Sequence, residues 1–144
     1  MNRNILFRGK ELNYPSHSWH KGYYVKNPAY GDSIYHYDAS GDNGENTYSL
    51  VIPDTVGQYS YSDDCNDNYI FEGDIVRVTL KIAKHQIIGI VYFDLEDNSF
   101  RLRFDDGSTI FLDSGKHDNL EVIGNIFDNE DLIKDFLPID KELT

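Results

Sequence analysis

The strongest constraint on the fold is an alternation with a period of two. Residues 75–82 place Val76, Val78, Leu80 and Ile82 on one face and Arg77, Thr79 and Lys81 on the other. That is the repeat of a pleated strand and not of a helix. Residues 87–93, 99–104, 109–112 and 119–124 read as four further strands. The dipeptide Asp106-Gly107 between the third and fourth supplies the φ > 0 that a tight hairpin needs. Five short strands at this spacing predict a small barrel over residues 70–127, because closure removes exposed edges. A helix over residues 129–136 closes it. Asp128 is its expected N-cap, Glu130 and Asp131 favour the positive end of its dipole, Leu132, Ile133 and Phe136 form the apolar stripe, and Pro138 stops it.

The first half is less regular. Strands are expected over residues 5–8, 18–26, 33–37 and 48–52, with Trp19, Tyr23 and Val25 on one face of the second. Residues 38–46 collect turn formers and read as a surface loop, and residues 60–68 read as polar and flexible in character. Eleven Tyr and eight Phe suit half-buried pleated surfaces. The fold class is therefore mainly β. Residues 1–68 form an N-terminal β-rich, acidic and aromatic segment, and residues 69–144 form the barrel and its helix. A chain of 144 residues is one domain, or one domain with a closely packed sub-domain.

Charge narrows the partners. Residues 1–26 carry Arg3, Arg8, Lys10, Lys21 and Lys26 against Glu11 alone. Residues 27–74 hold ten carboxylates and no Lys or Arg, and the whole chain has a formal charge of −12. Such a chain is not expected to bind duplex DNA, which is captured by neutralising phosphates. The acidic stretch is a solubilising surface or a negative face for a basic partner. Only three consecutive apolar residues precede Arg8, against about seven or more in a signal peptide. No run approaches the roughly 20 residues of a membrane span. With one cysteine, Cys65, these features place the protein in the cytoplasm and away from membranes.

The chemical constellations fare poorly. Asp64, Asn66 and Asn68 have the opening spacing of a calcium loop, but Tyr69 stands where a Gly is required and Ile75 where a Glu is required. Asp38, Ser40 and Asp42 fail likewise. His17 and His20, three apart in a strand, point to opposite faces and have no third ligand nearby. His36, His85 and His117 are isolated. Asp63, Asp64 and Asp67 keep Cys65 a thiol. No catalytic residue, metal site or cofactor is expected, and the protein is read as no enzyme.

Three stretches carry a resemblance. They are Ile5-Leu6-Phe7-Arg8-Gly9-Lys10 with Trp19-His20-Lys21-Gly22-Tyr23; Asp54-Thr55-Val56-Gly57-Gln58-Tyr59 with Ile70-Phe71-Glu72-Gly73-Asp74-Ile75-Val76; and Glu121-Val122-Ile123-Gly124-Asn125-Ile126-Phe127-Asp128-Asn129. In this order they resemble the YopX family, small proteins of bacteriophages and prophages of low-GC Gram-positive bacteria. The resemblance implies an SH3-like barrel for the C-terminal part and no activity. One departure is that residues 61–68 hold neither the Gly nor the Lys usual in that turn.

The expected function is that of a non-enzymatic phage or prophage accessory protein that binds an unidentified protein partner. Its candidate surface is Tyr59, Tyr61, Asp63, Asp64, Asp67, Glu72 and Asp74. Within Phe71-Glu72-Gly73-Asp74, an architectural turn competes with an acidic rim. One alternative is an acidic mimic of nucleic acid that binds a basic partner. A weaker one is nucleic-acid binding through Arg77, Lys81, Arg101 and Arg103. Homo-oligomerisation stays open.

Overall fold

The computed structural model describes residues 3, 5–13, 17–36, 48–113, 115 and 117–138. The predicted loop over residues 38–46, its Asp38 to Asp42 motif and Tyr37 lie outside the described residues. The chain divides into two compact units, Met1–Tyr59 and Ser60–Thr144.

In the first unit the strands are β1 (Phe7–Lys10), β2 (Trp19–Val25), β3 (Ser33–His36), β4 (Tyr48–Leu50) and the start of β5 (Gly57–Asp63). They pair antiparallel in the order β4-β3-β2-β1-β5. Phe7 faces Gly22 across β1–β2, and Tyr24 faces Ile34 across β2–β3. Leu6, Ile34 and Val51 are the buried apolar residues here. Val51 lies over Gly9, where a Cβ would stand only 3.0 Å from it. Buried Thr55 ends a 3-10 turn, Pro53–Thr55, by donating to Ile52 O at 2.6 Å and accepting from Lys10 N at 2.9 Å.

In the second unit β5 ends beside β6 (Tyr69–Phe71). Then come β7 (Asp74–Leu80), β8 (Gln86–Asp94), β9 (Ser99–Arg103), β10 (Thr109–Phe111) and β11 (His117–Asn125). The five strands form one antiparallel sheet in the order β10-β9-β8-β7-β11. Val76, Val78, Val91 and Leu102 on its inner face cluster with Ile70 of β6 and with Phe104 and Leu112 just beyond β9 and β10, all buried. Burial of such a cluster removes apolar surface from water and stabilises the unit. The turn after β9 forms as the sequence predicts: Gly107 has φ +84° and donates to Phe104 O at 3.0 Å.

Four expectations need correction. Among the described residues no ladder joins β10 to β11, so the sheet is open and not a closed barrel. The predicted C-terminal helix is a single 3-10 turn, Glu130–Ile133, whose N-cap is Asn129 and not Asp128. The Asn129 side chain turns back to accept from Asn125 N at 3.1 Å, while Asp128 accepts from the Asn125 side chain at 3.2 Å. Ile82 leaves the inner face and is 98% exposed, because β7 ends at Leu80 and the chain turns, Lys84 N donating back to Leu80 O. Residues 60–63, read as a flexible stretch, complete β5, which kinks at Tyr61 (φ +65°). Among the described residues no helix is long and apolar enough to cross a membrane.

Candidate interaction surfaces

The acidic candidates separate by burial. Asp63 and Asp67 are exposed, Glu72 is half-buried, and Asp64 and Asp74 are buried. The Asp64 carboxylate accepts from Asn66 N and Asn68 N, each at 2.9 Å, from Asn68 Nδ2 at 3.3 Å and from Val122 N at 3.0 Å. Burial raises its pKa, but the donors from Val122, Asn68 and Asn66 outweigh that and hold it below the usual carboxylate range. Cys65 N donates to Leu120 O at 2.8 Å, so the loop after β5 is tied to β11 at two points. Asp74 Oδ2 accepts from Phe71 N at 2.8 Å across Gly73, whose φ is +85°. Asp64 and Asp74 therefore build turns and offer no acidic rim. The failed calcium spacing belongs to the same loop, in which Asp64 is occupied by backbone donors. Of the tyrosines proposed beside them, Tyr61 is 38% exposed and Tyr59 is half-buried.

Arg77, Arg101 and Arg103 lie on the outer face of the second sheet, as the cross-strand partners Arg77–Ile88, Ile90–Arg103 and Tyr92–Arg101 require. Lys81 sits in the turn beyond β7. Each cation already has company. Arg77 is 4.0 Å from Glu121, Lys81 is 3.7 Å from Asp118, and Arg101 is 3.6 Å from Asp94 and bonded to Asp97. Arg103 donates to Leu137 O at 2.8 Å, with its guanidinium 5.9 Å from the Phe136 ring. The hydrogen bonds from Arg101 hold Asp97 below its ordinary pKa.

The Arg103–Leu137 contact frames a groove that the sequence does not foretell. Arg103, and Leu137 N donating to Asp105 O at 3.1 Å, pin the chain after the 3-10 turn across the outer face. Between the pinned segment and the sheet lies a pocket of about 420 Å³. Ile87, Ile88, Leu132 and Phe136 give its apolar walls, and Arg77, Gln86, Asp105 and Asp135 its polar ones. The signal missed was the Arg103–Phe136 pair, more than thirty residues apart in the chain.

The first unit holds two further clusters. The cross-strand partners Tyr23–Tyr35 and Tyr35–Tyr48 set three tyrosines in a row over β2, β3 and β4. Their exposures are 51%, 40% and 53%, and the Tyr35 and Tyr48 rings stack at 5.3 Å. Only the strand register reveals the row. On the opposite face His20 and His36 stack at 5.0 Å, with His20 Nε2 3.6 Å from Glu11 and His36 Nε2 2.9 Å from Ser49 Oγ. His36 is thus not isolated. Among the described residues no three His, Cys, Asp or Glu side chains converge as a metal site would require. Tyr24 hydrogen-bonds the buried Asp32. Burial, then that bond, push its hydroxyl up to about 12.

A family model described as YopX protein matches residues 7–134. A comparison with curated proteins found no match.

Proposed function

The chain belongs to the YopX family, and on that premise we propose a non-enzymatic protein-interaction module, phage- or prophage-encoded and acting in the host cytoplasm. The observation that carries it is the groove on the outer face of the second sheet. Apolar walls beside a few polar groups are what a short peptide segment recognises. Asp105 and Asp135 at its rim favour a partner segment with basic flanks. An SH3-like fold for this sheet is part of the proposal. Its support is the strand order, in which the fifth strand lies beside the first and the second, third and fourth follow. The acidic-mimic alternative keeps Asp63 and Asp67 but loses Asp64 and Asp74 to the interior.

The test is affinity capture from prophage-bearing cells with wild type and two variants, followed by binding measurements on whatever is retained. Ile88→Asp should abolish capture. Asp63→Asn combined with Asp67→Asn should change affinity by no more than about twofold, since exposed charges each contribute little. The reverse pattern puts the mimic reading first.

A further inference from the structure

The face of the first sheet that carries the tyrosine row differs in charge from the rest of this acidic chain. Its strand positions, by register, include Arg8 opposite Lys21 and Lys10 opposite Trp19, with Tyr23, Tyr35 and Tyr48 farther across the sheet. Strands β1 to β4 hold no carboxylate, and Glu11 lies toward His20 on the other side. Lys21 and the three tyrosines are exposed, Lys10 and Trp19 are half-buried, and Arg8 is buried with its guanidinium 4.8 Å from the Trp19 ring.

We infer that this face is a stacking platform for single-stranded nucleic acid, on which the rings of Tyr23, Tyr35 and Tyr48 take up bases while Lys21 meets the phosphates. Aromatic rings in a row across a sheet offer π faces to bases of any identity, and interleaved cations follow the backbone. Tyr35 and Tyr48 already stack on each other, so a base extends an existing stack. A protein partner for a flat tyrosine surface would need no cations, whereas a polyanion does. Duplex DNA keeps its bases inside the helix, out of reach of the rings, so the inference goes beyond the peptide groove without reviving duplex binding.

The experiment is fluorescence anisotropy with labelled oligo(dT), oligo(U) and a duplex of matching length, at low and at physiological salt. Wild type should bind the single strands at micromolar protein and leave the duplex unbound. Tyr35→Ala should weaken single-strand binding by about tenfold, and Tyr35→Phe, which keeps the ring, should stay within about twofold. Lys21→Gln should reduce the slope of log affinity against log salt by about 0.7, the loss of one phosphate contact on a single strand. If a thermal melt shows Tyr35→Ala unfolded, Tyr48→Ala on the three-residue strand β4 replaces it. The inference is overturned by absence of single-strand binding at low salt, by duplex binding of equal strength, or by alanine variants that bind like wild type. It is also overturned if polyglutamate displaces oligo(dT) as well as unlabelled oligo(dT) does, since any polyanion would then suffice. The peptide-groove variant Ile88→Asp should leave oligo(dT) binding unchanged, which separates this result from the fate of the groove.

Discussion

The two units bury different kinds of side chain. Between Ser60 and Leu112 the second unit encloses Ile70, Phe71, Ile75, Val76, Val78, Ile90, Val91, Leu102, Phe104 and Leu112, with Ser60, Asp64 and Asp74 as its buried polar groups. The first unit encloses Leu6, Ile34 and Val51 beside Arg8, Asp32, Ser33 and Thr55. One interior is apolar with two carboxylates fixing its turns; the other is held as much by polar partners as by packing. The aromatic wealth of the first unit is therefore not consumed in a core. Tyr23, Tyr30, Tyr35 and Tyr48 remain at the surface, and Tyr30 is 82% exposed. Rings left outside in a small unit are available for recognition, whereas rings such as Phe104, seated against Gly89, are committed to the fold.

Substitutions in the two interiors should differ in cost. The largest effect belongs to the apolar interior: Leu102→Ala should cost about 3 kcal/mol, read from urea denaturation, through lost transfer energy and the cavity left behind. A cost near zero would mean that this cluster is not a packed core. Next comes Asp64→Ala, which strands the N–H groups of Asn66, Asn68 and Val122 and should cost about 2 kcal/mol. Its pH dependence is signed. The folded pKa of Asp64 lies below the unfolded value of about 3.9, so its contribution is present above that pH and is lost as pH falls through the folded pKa. The acid limb of a melting-temperature profile should be shallower in the variant than in wild type.

In the first unit Tyr24→Phe removes the hydroxyl that Asp32 accepts and should cost about 1 kcal/mol. Here the folded pKa is raised. The stability it confers is full below the unfolded tyrosine value of about 10 and is lost as pH rises toward about 12. A spectrophotometric titration should show a late step toward pH 12 that Tyr24→Phe removes. The smallest effect is expected at the outer-face ion pairs: Arg77→Ala should move stability by no more than about 0.5 kcal/mol, because both partners are largely exposed.

Legibility in the sequence follows the same division. The five strands of the second sheet and the Gly107 turn were readable because alternation and turn chemistry are local. Strand β5 was not, because its Ser and Asp residues resemble a loop and Tyr61 breaks the alternation with a positive φ. The C-terminal segment misled by composition: its apolar stripe is real, but one 3-10 turn suffices to lay Leu132 and Phe136 over Ile88. The tyrosine row, the His20–His36 stack and the groove all join residues distant in the chain, and only strand register brings them together. Asp64 looked like surface charge because a carboxylate in a run of Asp and Asn usually is. Its donors include Val122, 58 residues away.

An open sheet has two borders at which another chain can add a strand, and unguarded borders lead to fibrous or amorphous assembly. One border here is β10, only three residues long. The other is β11, and the loop holding Asp64 lies along it, engaging Val122 N and Leu120 O. Register shifts between Asp118 and Glu121, and again between Val122 and Gly124, spoil that border further as a template. The buried carboxylate thus holds in place the loop that covers this border. At neutral pH, well above the isoelectric point, Asp64→Ala should scatter more light than wild type at equal concentration.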